Sequence, residues 1–229
     1  MRHRVDRERA ELEVLEQTQL GQLDEAALAA AELCVHRRAL QRGQVLFNEG
    51  DIGSSMYVLL SGRIELQVSS AAGHVLTLHV VQPGEIFGEV ALVVDEHRRT
   101  SRGKALENSV VGVLARSDFE RLRIAYACFD RLLVSVLARR VQRTTVQALE
   151  LKLPPETRVW RRMAALALAY GDQPIGLTQS ALAELAGTVR QTANRVIREG
   201  AEAGVLVAGR GSLQIIDPKR LAELAESAG

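Results

Sequence analysis

A chain of 229 residues with 47% hydrophobic and 25% charged residues is long enough for two modest domains, each with a core of its own. Its 29 basic and 28 acidic side chains leave a net charge of +1, which excludes a polybasic tail and confines any nucleic-acid contact to a local patch. No apolar run reaches membrane-spanning length, so no membrane partner is expected, and Cys34 and Cys128, distant and without CxxC spacing, read as packed thiols of the reducing cytoplasm.

The N-terminus mixes Arg2, Arg4, Arg7 and Arg9 with Asp6, Glu8, Glu11 and Glu13, the pattern of neither a signal nor a transit peptide. From about Val45 to Leu114 short strands alternate with turns. Val45-Leu46-Phe47 precedes the turn cluster Asn48-Glu49-Gly50-Asp51, and Met56 to Leu60 precedes Ser61-Gly62. Ile64 to Val68 alternates apolar and polar as a half-buried strand does, Ser69 to Gly73 turns into Val75 to Val81, and Val110 to Leu114 closes the set. These strands predict an antiparallel roll.

Residues 84 to 100, GEIFGEVALVVDEHRRT, interrupt that roll with groups suited to a phosphorylated ribose. Gly88 and Glu89 precede a short apolar run from Val90 to Leu92, which predicts one or two helical turns whose backbone N–H groups face an anion. Glu89 supplies an acceptor for a ribose 2'-hydroxyl. Arg99 returns on the next strand with a guanidinium for a phosphate oxygen, and Thr100 adds a hydroxyl. Without a GxxxxGK[ST] run, this set suits a singly charged cyclic phosphate better than a triphosphate and its metal. The plainer reading is a surface loop in which Glu89 and Arg99 pair with each other or with water.

A helical stretch is predicted from near Asp118 to about Leu151. Within it Val134, Leu137, Val141, Thr144, Ala148 and Leu151 recur at alternating spacings of three and four, the seam of a two-stranded coiled coil, so a homodimer is expected. The alternative is a long amphipathic helix packed on its own domain. Leu153-Pro154-Pro155 ends the stretch, with the second proline near the start of the next helix, predicted over Arg158 to Tyr170.

After Leu177-Thr178 come a helix over Gln179 to Ala186, a turn at Gly187, and a second helix over Val189 to Ala203. Strands Val205 to Ala208 and Leu213 to Ile216 flank Gly209-Arg210-Gly211-Ser212. This order predicts a winged helix-turn-helix, whose second helix enters the DNA major groove by its N-terminal end. The DNA-facing set is Thr178, Arg190, Gln191, Thr192 and Arg195: an arginine fork matches guanine O6 and N7, a glutamine amide matches adenine N6 and N7, and Thr192 suits a phosphate. Against this, Thr188-Val-Arg-Gln191 also reads as a capping box that turns Gln191 back on its own backbone, and Arg195 with Arg198 also reads as a solvated face.

Glu89, Arg99 and Thr100 resemble the phosphate-binding cassette of cyclic-nucleotide-binding domains, and along nearly the whole chain the pattern resembles the CRP/FNR family of bacterial transcription regulators. The resemblance implies an α+β protein: an N-terminal antiparallel, jelly-roll-like β-roll with N-terminal helices over 1–117, a dimerisation helix over 118–153, and a winged helix-turn-helix over 154–229. It implies a cyclic nucleotide as ligand, cyclic AMP before cyclic GMP, held by Gly88, Glu89, Val90, Arg99 and Thr100. Ala138 to Thr145 resembles the family's dimer helix, which implies that Thr144 and Thr145 touch the base, one from each subunit, with Arg140 near the site. RNA polymerase is an implied partner.

Two departures stand out. Ser101-Arg102-Gly103-Lys104 follows the cassette, so the next strand is expected to be weakened by glycine. Gln191 stands where the family usually has glutamate, so the half-site should differ from the TGTGA-like sequence associated with R-E-x-x-x-R members. Other readings are a haem sensor using His74 or His79, and a dimer that binds DNA without ligand. Two distant cysteines cannot supply the four thiolates of an iron-sulfur cluster. No HExxH or nucleophile-base spacing suggests an enzyme.

Overall fold

The computed structural model describes residues 14–70 and 75–227; the N-terminal charge cluster and His74 lie outside the described residues. The chain divides into two compact units, one drawn from 1–66 and 80–142, the other from 67–79 and 143–229.

In the first unit α1 (Glu25–Glu32) is capped by Asp24, whose carboxylate accepts from the Ala27 N–H at 2.9 Å and is held by that bond below the usual carboxylate pKa. The strands β1 (His36–Leu40), β2 (Val45–Phe47), β3 (Ser55–Ser61), β4 (Ile64–Ser69), β5 (Val75–Val81), β6 (Ile86–Phe87), β7 (Arg102–Ala105) and β8 (Ser109–Ala115) form two sheets, ordered β1-β8-β3-β6 and β2-β7-β4-β5. β3 explains the layering. It is buried on both faces, so its period of two sends Tyr57 and Leu59 into the core shared with Phe47, Leu66 and Phe87, and Met56 and Val58 into a second core against helices. One sheet is thus covered by strands on one side and helices on the other.

The glycine expected to weaken the strand after the cassette does not interrupt it. β7 is an inner strand, and Gly103 lies opposite Phe47, where a Cβ would stand 2.8 Å from that ring. The missing side chain makes room for an aromatic one.

The helix predicted to run unbroken from Asp118 is two helices, α3 (Arg116–Ala125) and α4 (Cys128–Glu150); α2 is the single turn Val90–Val93. The chain leaves helical geometry at Tyr126 (φ −133°, ψ 103°), and Arg123 bridges the break by donating to Asp130 at 2.6 Å. Through this bend Phe119 and Leu122 of α3 join Phe129, Leu132 and Val136 of α4 in one core. Beyond Val136 the helix no longer packs into that core, and Val141, Val146 and Leu149 are exposed, as is Val134, which faces away from the core and lies two helical turns from Val141 on the same face.

The second unit begins on α4 and contains α5 (Pro155–Tyr170), α6 (Gln179–Leu185), α7 (Arg190–Glu202), β9 (Leu206–Gly209), β10 (Ser212–Ile215) and α8 (Pro218–Ser227). Pro154 and Pro155 set the start of α5, since fixed φ and a missing N–H cost nothing in a first turn. β9 and β10 pair antiparallel from Ser212↔Gly209, with Gly211 at φ 76° in the turn, and an isolated bridge from Ile175 to Leu213 extends this wing. Met163, Leu182, Leu206 and Leu221 are fully buried, and a Cβ on Gly200 would stand 2.8 Å from Leu206 and 3.2 Å from Trp160. The distal part of the β4–β5 hairpin belongs to this unit: Gln67 donates to Glu184 at 3.0 Å, and Gln147 donates to the Leu78 carbonyl at 2.6 Å.

Candidate functional site

The cassette is built around Arg99, whose side chain is drawn into the roll rather than left on its surface, with 4% of the residue exposed. Its Nη1 donates to the Gly88 carbonyl at 2.7 Å and its Nη2 to the Tyr57 hydroxyl at 3.3 Å, while Ser55 donates to the same Tyr57 oxygen at 3.0 Å. The guanidinium carbon lies 4.5 Å from the Phe47 ring centre and 5.2 Å from that of Tyr57, and Tyr57 in turn stacks on Phe87 at 5.3 Å. The cation is therefore held over an aromatic shelf. Burial pulls its pKa below the ordinary arginine value, opposed by Tyr57 and then Glu89, and it stays charged because arginine starts so high.

This anchoring leaves one guanidinium nitrogen without a partner. The Arg99 Nε–H is buried and meets no hydrogen-bond acceptor among the described residues. An orphaned donor on a buried cation is costly unless an anion satisfies it. Two glycines keep the surroundings open: Gly88, at φ 75°, would carry a Cβ 2.8 Å from Arg99 Nη1, and one on Gly53 would stand 3.3 Å from Arg99 Nε.

Glu89 is fully buried at the N-terminal end of α2, and its Oε1 lies 3.1 Å from Nη1 of Arg140 on α4. Val90 opens α2 and is half-buried. Thr100 is exposed beside Arg99, whereas the next hydroxyl, on Ser101, is buried. Thr144 and Thr145 are exposed on α4, and Thr144, four residues beyond Arg140, shares its helix face.

In the second unit Ala193, Val196, Ile197 and Gly200 of α7 are buried at helical spacing, which turns Arg190, Gln191, Asn194, Arg195 and Arg198 outward. The N-cap of α7 is Val189, not Thr188, and no side chain caps it. The capping box is thus corrected: with Val189 at the cap, Gln191 is the second helical residue and is exposed. Thr178 caps α6 by accepting from the Ala181 N–H at 3.1 Å, Thr192 is half-buried, and Arg195 donates to Glu156 of α5.

The chain matches the cyclic nucleotide-binding domain over residues 37–126 and the Crp-like helix-turn-helix domain over residues 157–224. It is 33% identical over 193 residues to a cyclic AMP receptor protein of Thermus thermophilus, spanning 82% of this chain and 88% of that one. The chain belongs to the CRP/FNR family. A CRP-like cAMP-activated global transcriptional regulator of Mycobacterium tuberculosis is 29% identical over 89% of this chain and 94% of its own. The crystal structure of a CRP/FNR-family regulator from Thermus thermophilus superposes with a TM-score of 0.66 at 28% identity, covering 85% of this chain and all of that one. CRP/FNR proteins are transcription regulators, not enzymes, so the chain is a nucleotide-binding and DNA-binding regulator.

The cassette residues of this CRP/FNR chain fit a cyclic nucleotide: a buried cation with an unused donor, glycines where side chains would intrude, and a buried carboxylate. Gly88 and Arg99 are in contact, as are Glu89 and Arg140. Sequence reasoning missed the shelf of Phe47, Ser55, Tyr57 and Phe87. It also missed Arg116, which donates to the carbonyls of Gly53 at 2.6 Å and Ala91 at 2.9 Å and so ties α2 to the β2–β3 loop. Only the alternation of β3 hinted that Ser55 and Tyr57 share a face.

Proposed function

We propose that the protein is a homodimeric transcription regulator whose binding to a near-palindromic operator is set by cyclic AMP. The observation that carries this is the buried, still unsatisfied Nε–H of Arg99 beside the fully buried carboxylate of Glu89. Arg99 and Thr100 hold the cyclic phosphate, Gly88 and Val90 frame it, Glu89 accepts from the ribose hydroxyl, and Arg140 orients Glu89. Thr144 and Thr145 meet the base, one from each subunit. The exposed Val134 and Val141 of α4 then form the dimer seam, so that ligand and subunit contact act on one helix. The names of two relatives favour cyclic AMP over cyclic GMP. The protein works in the cytoplasm, with 1–117 as nucleotide domain, 118–153 as dimer helix, 154–229 as DNA-binding domain, and RNA polymerase as a further partner. In keeping with the family, no helix among the described residues is long and apolar enough to cross a membrane.

Calorimetric titration with cyclic AMP and cyclic GMP tests the ligand. Saturable binding with tighter cyclic AMP is expected; equal or tighter cyclic GMP overturns the base preference, and no binding of either overturns the cassette.

On DNA, the two-fold axis demands half-sites about one helical turn (~34 Å) apart. Arg190→Ala should cost about 1 to 3 kcal/mol and relax preference at one base pair per half-site. Because Gln191 lies free of the helix cap, Gln191→Glu should move operator selection from a randomised duplex library toward C at one symmetric position. An unchanged selected operator rejects base reading by Gln191.

A further inference from the structure

Arg195, which the sequence places in the DNA-facing set as a base reader, has an ion-pair partner on a different helix. Arg195 is half exposed, yet it is not a free surface arginine: its Nη2 donates to Oε1 of Glu156, and its Nε lies 4.0 Å from Oε1 of Glu199 one turn along α7. Glu156 is itself well placed, in the first turn of α5 directly after Pro154 and Pro155, where φ is restricted and the helix dipole favours an acid. An ion pair as exposed as this contributes little to folding stability. Its consequence lies in what it does to the arginine.

Glu156 takes Nη2 and Glu199 stands 4.0 Å from Nε. The edge we assign to the base is the end-on one, Nη1 with the second hydrogen of Nη2. The end-on edge suffices for guanine O6 and N7. A long cation without such a brace takes any phosphate within reach, and phosphate contacts carry no sequence information. We propose that Glu156 is a positioning residue that sets DNA specificity: it holds the Arg195 fork in the base-reading orientation and keeps its charge off the phosphate backbone. This rests on the proposed reading of a base by Arg195.

The test compares the parent, Glu156→Gln, Arg195→Ala and the double variant, all saturated with cyclic AMP. Each is titrated over a range of salt with the duplex that the parent selects from a randomised library and with a duplex of scrambled sequence. The expected result for Glu156→Gln is a rise in scrambled-duplex affinity with a salt slope steeper by about 0.9 for each subunit whose arginine gains a phosphate. The ratio of selected to scrambled affinity should fall about tenfold, and selection should relax at the base pair that Arg195→Ala also relaxes. In the Arg195→Ala background Glu156→Gln should change neither ratio nor slope. Equal strengthening on both duplexes, with the selected operator unchanged, overturns the proposal, because it describes a merely repulsive charge. So does an equal effect with and without Arg195. If Arg195→Ala leaves specificity intact, the base reading itself fails and this inference fails with it; if Arg195→Ala loses specificity but Glu156→Gln does not, only the inference fails.

Discussion

Arg99→Ala should weaken cyclic AMP binding by about 3 to 5 kcal/mol, or roughly two to four orders of magnitude, because it removes the buried cation assigned to the phosphate and leaves that anion underpaired in a partly dry site. Arg99→Lys should fail nearly as badly. An ammonium is a point charge, whereas the native group reaches the Gly88 carbonyl and the Tyr57 hydroxyl with its two terminal nitrogens while keeping a third donor in reserve. Since the Gly88 contact also fastens the cassette, some loss of melting temperature is expected, and the comparison is made on protein shown to be folded by circular dichroism. Glu89→Ala should weaken binding as well, through the ribose contact. If folded Arg99→Ala and Glu89→Ala both titrate like the parent, the nucleotide does not bind where we place it.

Phe87→Ala should destabilise the roll by about 3 to 5 kcal/mol, the usual cost of emptying an aromatic site that cannot collapse. Phe87 is 1% exposed, stacks on Tyr57 at 5.3 Å and lies 6.4 Å from Phe47, so its ring supports the shelf on which Arg99 rests. Chemical denaturation of parent and variant measures the loss. A second expectation follows from linkage: a ligand that binds only the folded state at one hundred times its Kd adds about 2.7 kcal/mol, so the parent should gain that much from cyclic AMP and the variant less, its site being loosened. A loss under 1 kcal/mol contradicts the packing described for this core. An undiminished gain from cyclic AMP contradicts the link between the aromatic shelf and the site.

Much of the fold was legible in the sequence wherever the deciding forces are local. β5 runs over the predicted Val75–Val81, the buried stripe of α7 repeats at helical spacing, and the two prolines mark the start of α5. Backbone periodicity, fixed φ and turn chemistry act over a few residues and leave their mark in the order of residues. The motif of Gly88, Glu89 and Arg99 was legible for the same reason, since the three fall in one short segment.

What the sequence left open was decided by contacts between distant segments. Nothing near Arg99 in the chain announces Ser55 and Tyr57, which lie 44 and 42 residues away and reach it only because β3 is buried on both faces. The short strands β1 and β6 exist because a neighbouring strand supplies their hydrogen-bond partners, and propensity alone does not mark them. The regular spacing from Val134 onward said nothing of the break at Tyr126, which lies before it and is set by the packing of two helices onto one core. Thr188 has the chemistry of a cap, yet Val189 holds the cap position, since the turn through Gly187 sets where the helix begins. Glu156 and Arg195 are 39 residues apart on separate helices. By itself, then, the sequence determined which residue types were available and the family to which the chain belongs, through local patterns. Tertiary packing alone decided which of those side chains were desolvated, which were paired and which kept a donor unused, because burial and partnership belong to the folded surface.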